Sequence, residues 1–133
     1  MPRVALSQEE VAVVRAGSFV RVNLGTRYLF RDGARAETAF VGMADGVLVA
    51  YANVCMHHPT PLDVSDFEKA PHDPHTHLPL APLTDDGERL LCLTHGAEFE
   101  KKDGLCIMGP CFGQRLAEIQ VEEGAFPEIS LVL

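Results

Sequence analysis

No run of apolar residues in this chain approaches the roughly 20 that a helix needs to cross a bilayer. The N-terminus, Met1-Pro2-Arg3-Val4-Ala5-Leu6-Ser7, also lacks the basic region, apolar run and cleavage site of a secretory signal. Both absences point to the cytoplasm and away from a membrane. Basic charge is scarce as well: 11 Lys and Arg stand against 19 Asp and Glu, a formal net charge of −8. Such a surface repels nucleic-acid phosphates and an anionic membrane face, and it steers in a partner with a basic docking surface. Internal repeats are absent. With 133 residues, 47% of them apolar, the chain has material for one core, and one domain over 1–133 is expected. The 4 cysteines could make two disulfides. In a cytosolic chain thiols stay reduced, and cysteines close to histidines more often bind metal.

Asp-Gly pairs stand at Asp32-Gly33, Asp45-Gly46, Asp86-Gly87 and Asp103-Gly104, each beside a short β-prone run. Asp-Gly suits the hairpin turn whose two central residues both need positive φ. Period-two alternation marks Val20, Val22 and Leu24 against Arg21 and Asn23, and Ala117, Ile119 and Val121 against Glu118, Gln120 and Glu122. The chain is therefore all-β and mostly antiparallel, with expected strands at 18–24, 27–31, 38–43, 47–53, 89–93, 97–101, 105–108, 116–121 and 129–133. One short helix is expected at 8–14, where Ser7 and Glu10 match a capping box.

The segment from His58 to about Asp86 differs. Five prolines fall between Pro59 and Pro79, with His72, His75 and His77 among them and no sustained periodicity. It reads as a long surface loop near whatever Cys55 and Cys92 build. The three histidines suit a solvated loop better than an extra metal site.

Two apolar runs end in ligand-type residues. Cys55-Met56-His57 follows 47–54, and Cys92-Leu93-Thr94-His95-Gly96 follows 89–91, so each loop tip offers one thiolate and one imidazole. Two sulfurs and two nitrogens suit either a tetrahedral zinc or a [2Fe–2S] cluster with both cysteines on one iron and both histidines on the other. The order Cys, His, Cys, His, with C-x-H and C-x-x-H spacings, differs from a zinc finger, which gathers its cysteines first and its histidines later. It resembles the Rieske motif. The resemblance continues through Pro61-Leu62, Gly96-Ala97-Glu98-Phe99, Asp103-Gly104, Gly109-Pro110 and Gly113-Gln114-Arg115-Leu116.

This resemblance to small Rieske ferredoxins and the Rieske domains of oxygenases implies a fold of small antiparallel base sheets plus a cluster-binding part, here about 47–122. It implies one [2Fe–2S] cluster on Cys55, His57, Cys92 and His95, with Gly96 permitting a tight turn and Gly109-Pro110 starting a third, shielding loop. It also places the two histidines at the surface; since the positive charge of ferric iron favours loss of their outer protons, proton uptake at His57 or His95 is expected to accompany reduction at alkaline pH. Two departures stand out. Residues 58–91 separate the ligand loops, a longer stretch than the family usually carries, which costs little because loop-closure entropy grows only logarithmically. The disulfide and hydroxyl donors that raise the potential of respiratory Rieske proteins are also missing, since Thr60, Thr94, Ala97 and Phe99 stand at those positions. Fewer donors leave the reduced cluster less stabilised, so the potential belongs near the low end of the Rieske range, about −150 mV rather than about +300 mV.

The implied function is electron transfer as a ferredoxin-like component of an oxygenase or reductase system, with a reductase as donor. The alternatives are a non-catalytic subunit of a larger oxidoreductase, similar to the small subunit of assimilatory nitrite reductases, and a zinc-stabilised interaction domain. No catalytic residues are expected, because the chain has no room for a second, mononuclear-iron domain. Adjacent residues of an extended loop point oppositely, which sets His58 aside as a surface residue. Cys106 and Cys111 could be a redox-active pair, but packing as small apolar residues is the commoner role of free cysteines.

Overall fold

The computed structural model describes residues 2–25, 29–31, 34–55, 61–63 and 71–133, with 29–31 and 34–35 as backbone only. Asp32-Gly33 and residues 56–60 lie outside the described residues. Ser7 opens helix α1 (Gln8–Arg15): its hydroxyl accepts from the Glu10 N–H at 3.1 Å, and the Glu10 carboxylate accepts from the Ser7 N–H at 2.8 Å. This reciprocal pair satisfies two donors that a helix start leaves free. The helix runs one residue past the expected 8–14 and buries Val11, Val13 and Val14.

Six strands form the base sheet, in the order β1 (Arg3–Ala5), β11 (Ile129–Val132), β10 (Glu118–Glu123), β6 (Val47–Ala52), β5 (Thr38–Ala44) and β2 (Val20–Asn23). Every neighbouring pair is antiparallel. β3 (Leu29–Arg31) and β4 (Ala34–Ala36) pair as a ribbon, and β7 (Arg89–Leu91), β8 (Glu98–Glu100) and β9 (Cys106–Met108) form a three-stranded sheet. Asp45-Gly46 joins β5 to β6, with Ala44 opposite Val47 and φ of 52° and 79° at the two turn residues. Both values are positive, as a type I′ turn requires. No helix among the described residues is long and apolar enough to cross a membrane.

β5 and β6 form the wall between two cores. Ala39, Val41, Ala50 and Ala52 join the first core with α1, β2, β10 and β11, whereas Phe40, Val49 and Tyr51 face a second core with Leu62, Leu90, Phe99 and all four cysteines. A strand buried on both faces shows no polar alternation, so 47–54 reads as a continuous apolar run. That strand delivers Cys55 directly into the second core.

The second half of the proline-rich segment, from Pro71 on, is tied to its neighbours by backbone hydrogen bonds rather than running as a free loop. Over its described residues 71–83 it runs as a strap between β2 and β7, with Arg21 N–H donating to Pro79 O, Ala81 N–H to Phe19 O and Leu91 N–H to Pro82 O, each at 2.9 Å. Proline has no N–H, but Pro71, Pro79 and Pro82 all accept through their carbonyls. Prolines are tolerated at a sheet edge for this reason, and they erase the periodicity that would reveal it. His72, His75 and His77 are exposed along the turn in this strap. β1 and β4, three residues each, carry no period of their own and were not expected from the sequence.

Candidate metal centre

The first loop is clamped by one buried amide. Asn53, 2% exposed, follows β6 by one residue; its Oδ1 accepts from the Leu62 N–H at 2.7 Å, and its Nδ2 donates to Thr38 Oγ1 at 2.9 Å and to Asp63 Oδ1 at 3.0 Å. Arg21 in turn donates to the other oxygen of Asp63 at 2.7 Å. Asn53 on one side and Leu62 and Asp63 on the other thus meet in a single hydrogen-bonded knot next to Cys55. A buried carboxylate and a buried amide hold their places only because each finds partners.

The second loop closes on itself and on the first. Cys92 N–H donates to Ala97 O and Gly96 N–H to Cys92 O, both at 2.8 Å, with Gly96 at φ +71°. Only glycine adopts that backbone readily, so the turn can bring His95 back over Cys92. His95 Nδ1 lies 3.7 Å from Cys92 Sγ. Leu93 N–H donates to Leu62 O at 2.9 Å, tying this loop to the far end of the first.

Cys55, Cys92 and His95 come together, with their ligand atoms all within 4.8 Å of one another. Both cysteines are fully buried, and His95 is partly exposed at the tip. His57 lies outside the described residues, so its expected place as fourth ligand rests on the sequence. Burial pushes the Cys92 thiol up and the neighbouring Cys55 adds to this, while the N–H groups of His95 and Thr94 pull it back down. Two thiolates cannot share so dry a site alone, whereas a bound cation removes both protons and compensates the charge. The donor set therefore fits a soft, cationic metal centre with mixed sulfur and nitrogen ligands.

Gly109 brings the third loop onto the second. Its φ is +104°, and a Cβ placed on it would meet the Ala97 Cα at 2.9 Å. Pro110 is exposed and Cys111 is buried behind it. Cys106 and Cys111 pack in the second core, and His72, His75 and His77 belong to no metal-sized cluster among the described residues. The residues missed by sequence reasoning are Asn53, Asp63 and Arg21. Asn53 is the one signal, a lone amide closing an otherwise apolar run.

One loop leaving β6 of the base sheet and one leaving β7 of the three-stranded sheet bring Cys55, Cys92 and His95 together, which defines a small β module built around a candidate metal centre. The chain matches the model of the Rieske [2Fe-2S] domain over residues 3–123, and it belongs to that family, whose prosthetic group is one [2Fe–2S] cluster. In fold it is similar to the Sphingomonas yanoikuyae B1 ferredoxin, at 19% identity and TM-score 0.59, covering 99% of both chains. Weaker likenesses are to the ferredoxin of carbazole 1,9a-dioxygenase from Nocardioides aromaticivorans IC177 (16% identity, TM-score 0.48, 85% of this chain and 97% of that one) and to the terminal oxygenase of carbazole 1,9a-dioxygenase from Novosphingobium sp. KA1 (16%, 0.48, 90% and 31%). No curated protein matches by sequence.

Proposed function

We propose that this protein is a one-electron carrier of the cytoplasm, accepting electrons from a flavin reductase and delivering them to an oxygenase or another reductase. The observation that carries the reading is the convergence of Cys55, Cys92 and His95 at the tip of the second core in a chain of this family. In this reading His57 completes the ligand set, and the [2Fe–2S] cluster supplies a reversible one-electron couple when bound.

The residues around it do the rest. Cys55 and Cys92 lie fully buried and keep water from the sulfur side, while His95, partly exposed, offers a partner the nearest approach. Asn53 and Asp63 hold the first loop in place, Gly96 allows the second its turn, and Gly109 with Pro110 seats the third loop against Ala97. Preorganised ligands change little between oxidation states, which suits rapid transfer. The charge of −8 favours partners with basic docking faces.

The experiment is stopped-flow transfer from the reduced holoprotein to an oxidised Rieske oxygenase, across a series of salt concentrations. The carrier reading expects transfer whose second-order rate falls as salt rises. Absence of transfer to any Rieske oxygenase or flavin reductase, with the protein instead co-purifying in a fixed complex, would favour the alternative of a subunit within a larger oxidoreductase.

A further inference from the structure

A pair of thiols outside the cluster of Cys55, Cys92 and His95 spans from β9 to the third loop. Cys106 lies at the start of β9 and Cys111 behind Pro110, and their Sγ atoms stand 2.6 Å apart. That is about half an ångström beyond an S–S bond of about 2.05 Å, so joining them asks for almost no movement. Both residues are 1% exposed, yet the outer face of the same loop is open, with Met108 at 55% and Phe112 at 73% exposure. The backbone has already shaped the ring: Cys106 N–H donates to Gln114 O at 2.7 Å, and Gly113 N–H donates to Cys106 O at 2.9 Å. Packing alone explains two buried thiols. It does not call for both sulfurs to be aimed at each other inside ordinary non-bonded contact.

We propose that Cys106 and Cys111 are a dithiol that closes reversibly to a disulfide by exchange with a low-molecular-mass disulfide such as oxidised glutathione, locking the loop that Gly109 seats against Ala97. In the opened loop one of the two thiols, once deprotonated, attacks one sulfur of the glutathione disulfide; that S–S bond breaks and one glutathione thiolate leaves. The other cysteine then attacks the protein sulfur of the mixed disulfide and expels the second glutathione. The protein gives up two protons and two electrons, and the glutathione disulfide takes up both to become two thiols. Because the sulfurs are buried, exchange proceeds through opened forms of the loop, and closure holds the loop shut. The device is independent of how the cluster is ligated, and it makes loop opening sensitive to the thiol poise.

Trypsin cuts after Lys102 and Arg115, so the peptide 103–115 carries Cys106 and Cys111 and no other cysteine. Holoprotein is equilibrated with mixtures of reduced and oxidised glutathione, acid-quenched, alkylated under denaturing conditions and digested. In the oxidising mixtures peptide 103–115 loses two hydrogens and takes no alkyl group; dithiothreitol restores two alkyl groups. Amide exchange at Gly113 and Gln114 slows several-fold in the closed form, and Cys106→Ser abolishes both effects. A peptide that stays doubly alkylated in every mixture, or one that gains glutathione without closing, overturns the proposal. Closure that leaves amide exchange unchanged overturns the locking role.

Discussion

The side-chain oxygen of Asn53 accepts from the backbone N–H of Leu62 at 2.7 Å, so the loop that carries Cys55 begins and ends on one buried amide. Cutting Asn53 back to alanine leaves the Leu62 N–H and one Asp63 oxygen without their partners. Each unsatisfied buried group costs about 1–3 kcal/mol. Asn53→Ala is therefore expected to lose about 2–4 kcal/mol in denaturant unfolding and to hold less iron and sulfide per chain as isolated. An unchanged midpoint with full iron content would show that the knot does not position the loop.

Two glycines of the third loop separate conformational strain from close contact. Gly113 has φ +88° with open space around it, whereas Gly109 has φ +104° and faces the Ala97 backbone. Gly113→Ala should cost only the left-handed backbone penalty, about 1–2 kcal/mol. Gly109→Ala adds a contact of 2.9 Å that backbone must yield to. It should cost clearly more, and should quicken cluster loss to a chelator several-fold. Equal effects of the two substitutions in unfolding and chelation assays would contradict the seating of this loop on Ala97.

The turn in the proline-rich strap is held by Asp73. The Thr76 N–H is the largest influence, and with the Thr76 hydroxyl and the His75 N–H it holds the Asp73 carboxyl below its ordinary 3.8. A depressed folded pKa stabilises the turn fully above the unfolded value, and that stability is lost as the pH falls through the folded one. Carboxyl-carbon NMR titration is expected to place Asp73 below 3.8, and Thr76→Val to move it upward. A titration at or above the ordinary value in both proteins would remove the turn's dependence on this carboxylate.

Ala97 and Phe99 are fully buried and carry no hydroxyl beside the second loop. The expected midpoint is near the low end of the Rieske range, about −150 mV. Placing one donor there with Ala97→Ser should raise the midpoint by about 20–60 mV, the equivalent of one hydrogen bond of about 0.5–1.5 kcal/mol in a one-electron couple. Potentiometric titration of both proteins checks the value and the direction; a midpoint well above zero in the parent protein, or a fall in the variant, would contradict it.

How much was legible in the sequence follows from what each residue must do locally. Asp45-Gly46 announced its hairpin because few other pairs accept two positive φ angles, and Ser7 with Glu10 announced the helix start because capping is a short-range act. The convergence of Cys55, Cys92 and His95 was legible because cysteine and histidine donors at such spacing recur together. Asn53 was not, since its partners Leu62, Asp63 and Thr38 are distant in sequence and an amide at the end of a strand has many uses. The strap at 71–83 was hidden for a different reason: prolines that bond only through their carbonyls look like loop. β1 was invisible because three residues have no period, and only its pairing with β11 makes it a strand.

The most direct measurement is electron paramagnetic resonance of the dithionite-reduced protein, with iron and acid-labile sulfide assayed on the same sample and Cys92→Ser beside it. The account predicts equal iron and sulfide, two of each per chain, and a single rhombic signal of one spin per chain that Cys92→Ser abolishes. A protein that holds zinc and no sulfide, or a signal unaffected by Cys92→Ser, would contradict it.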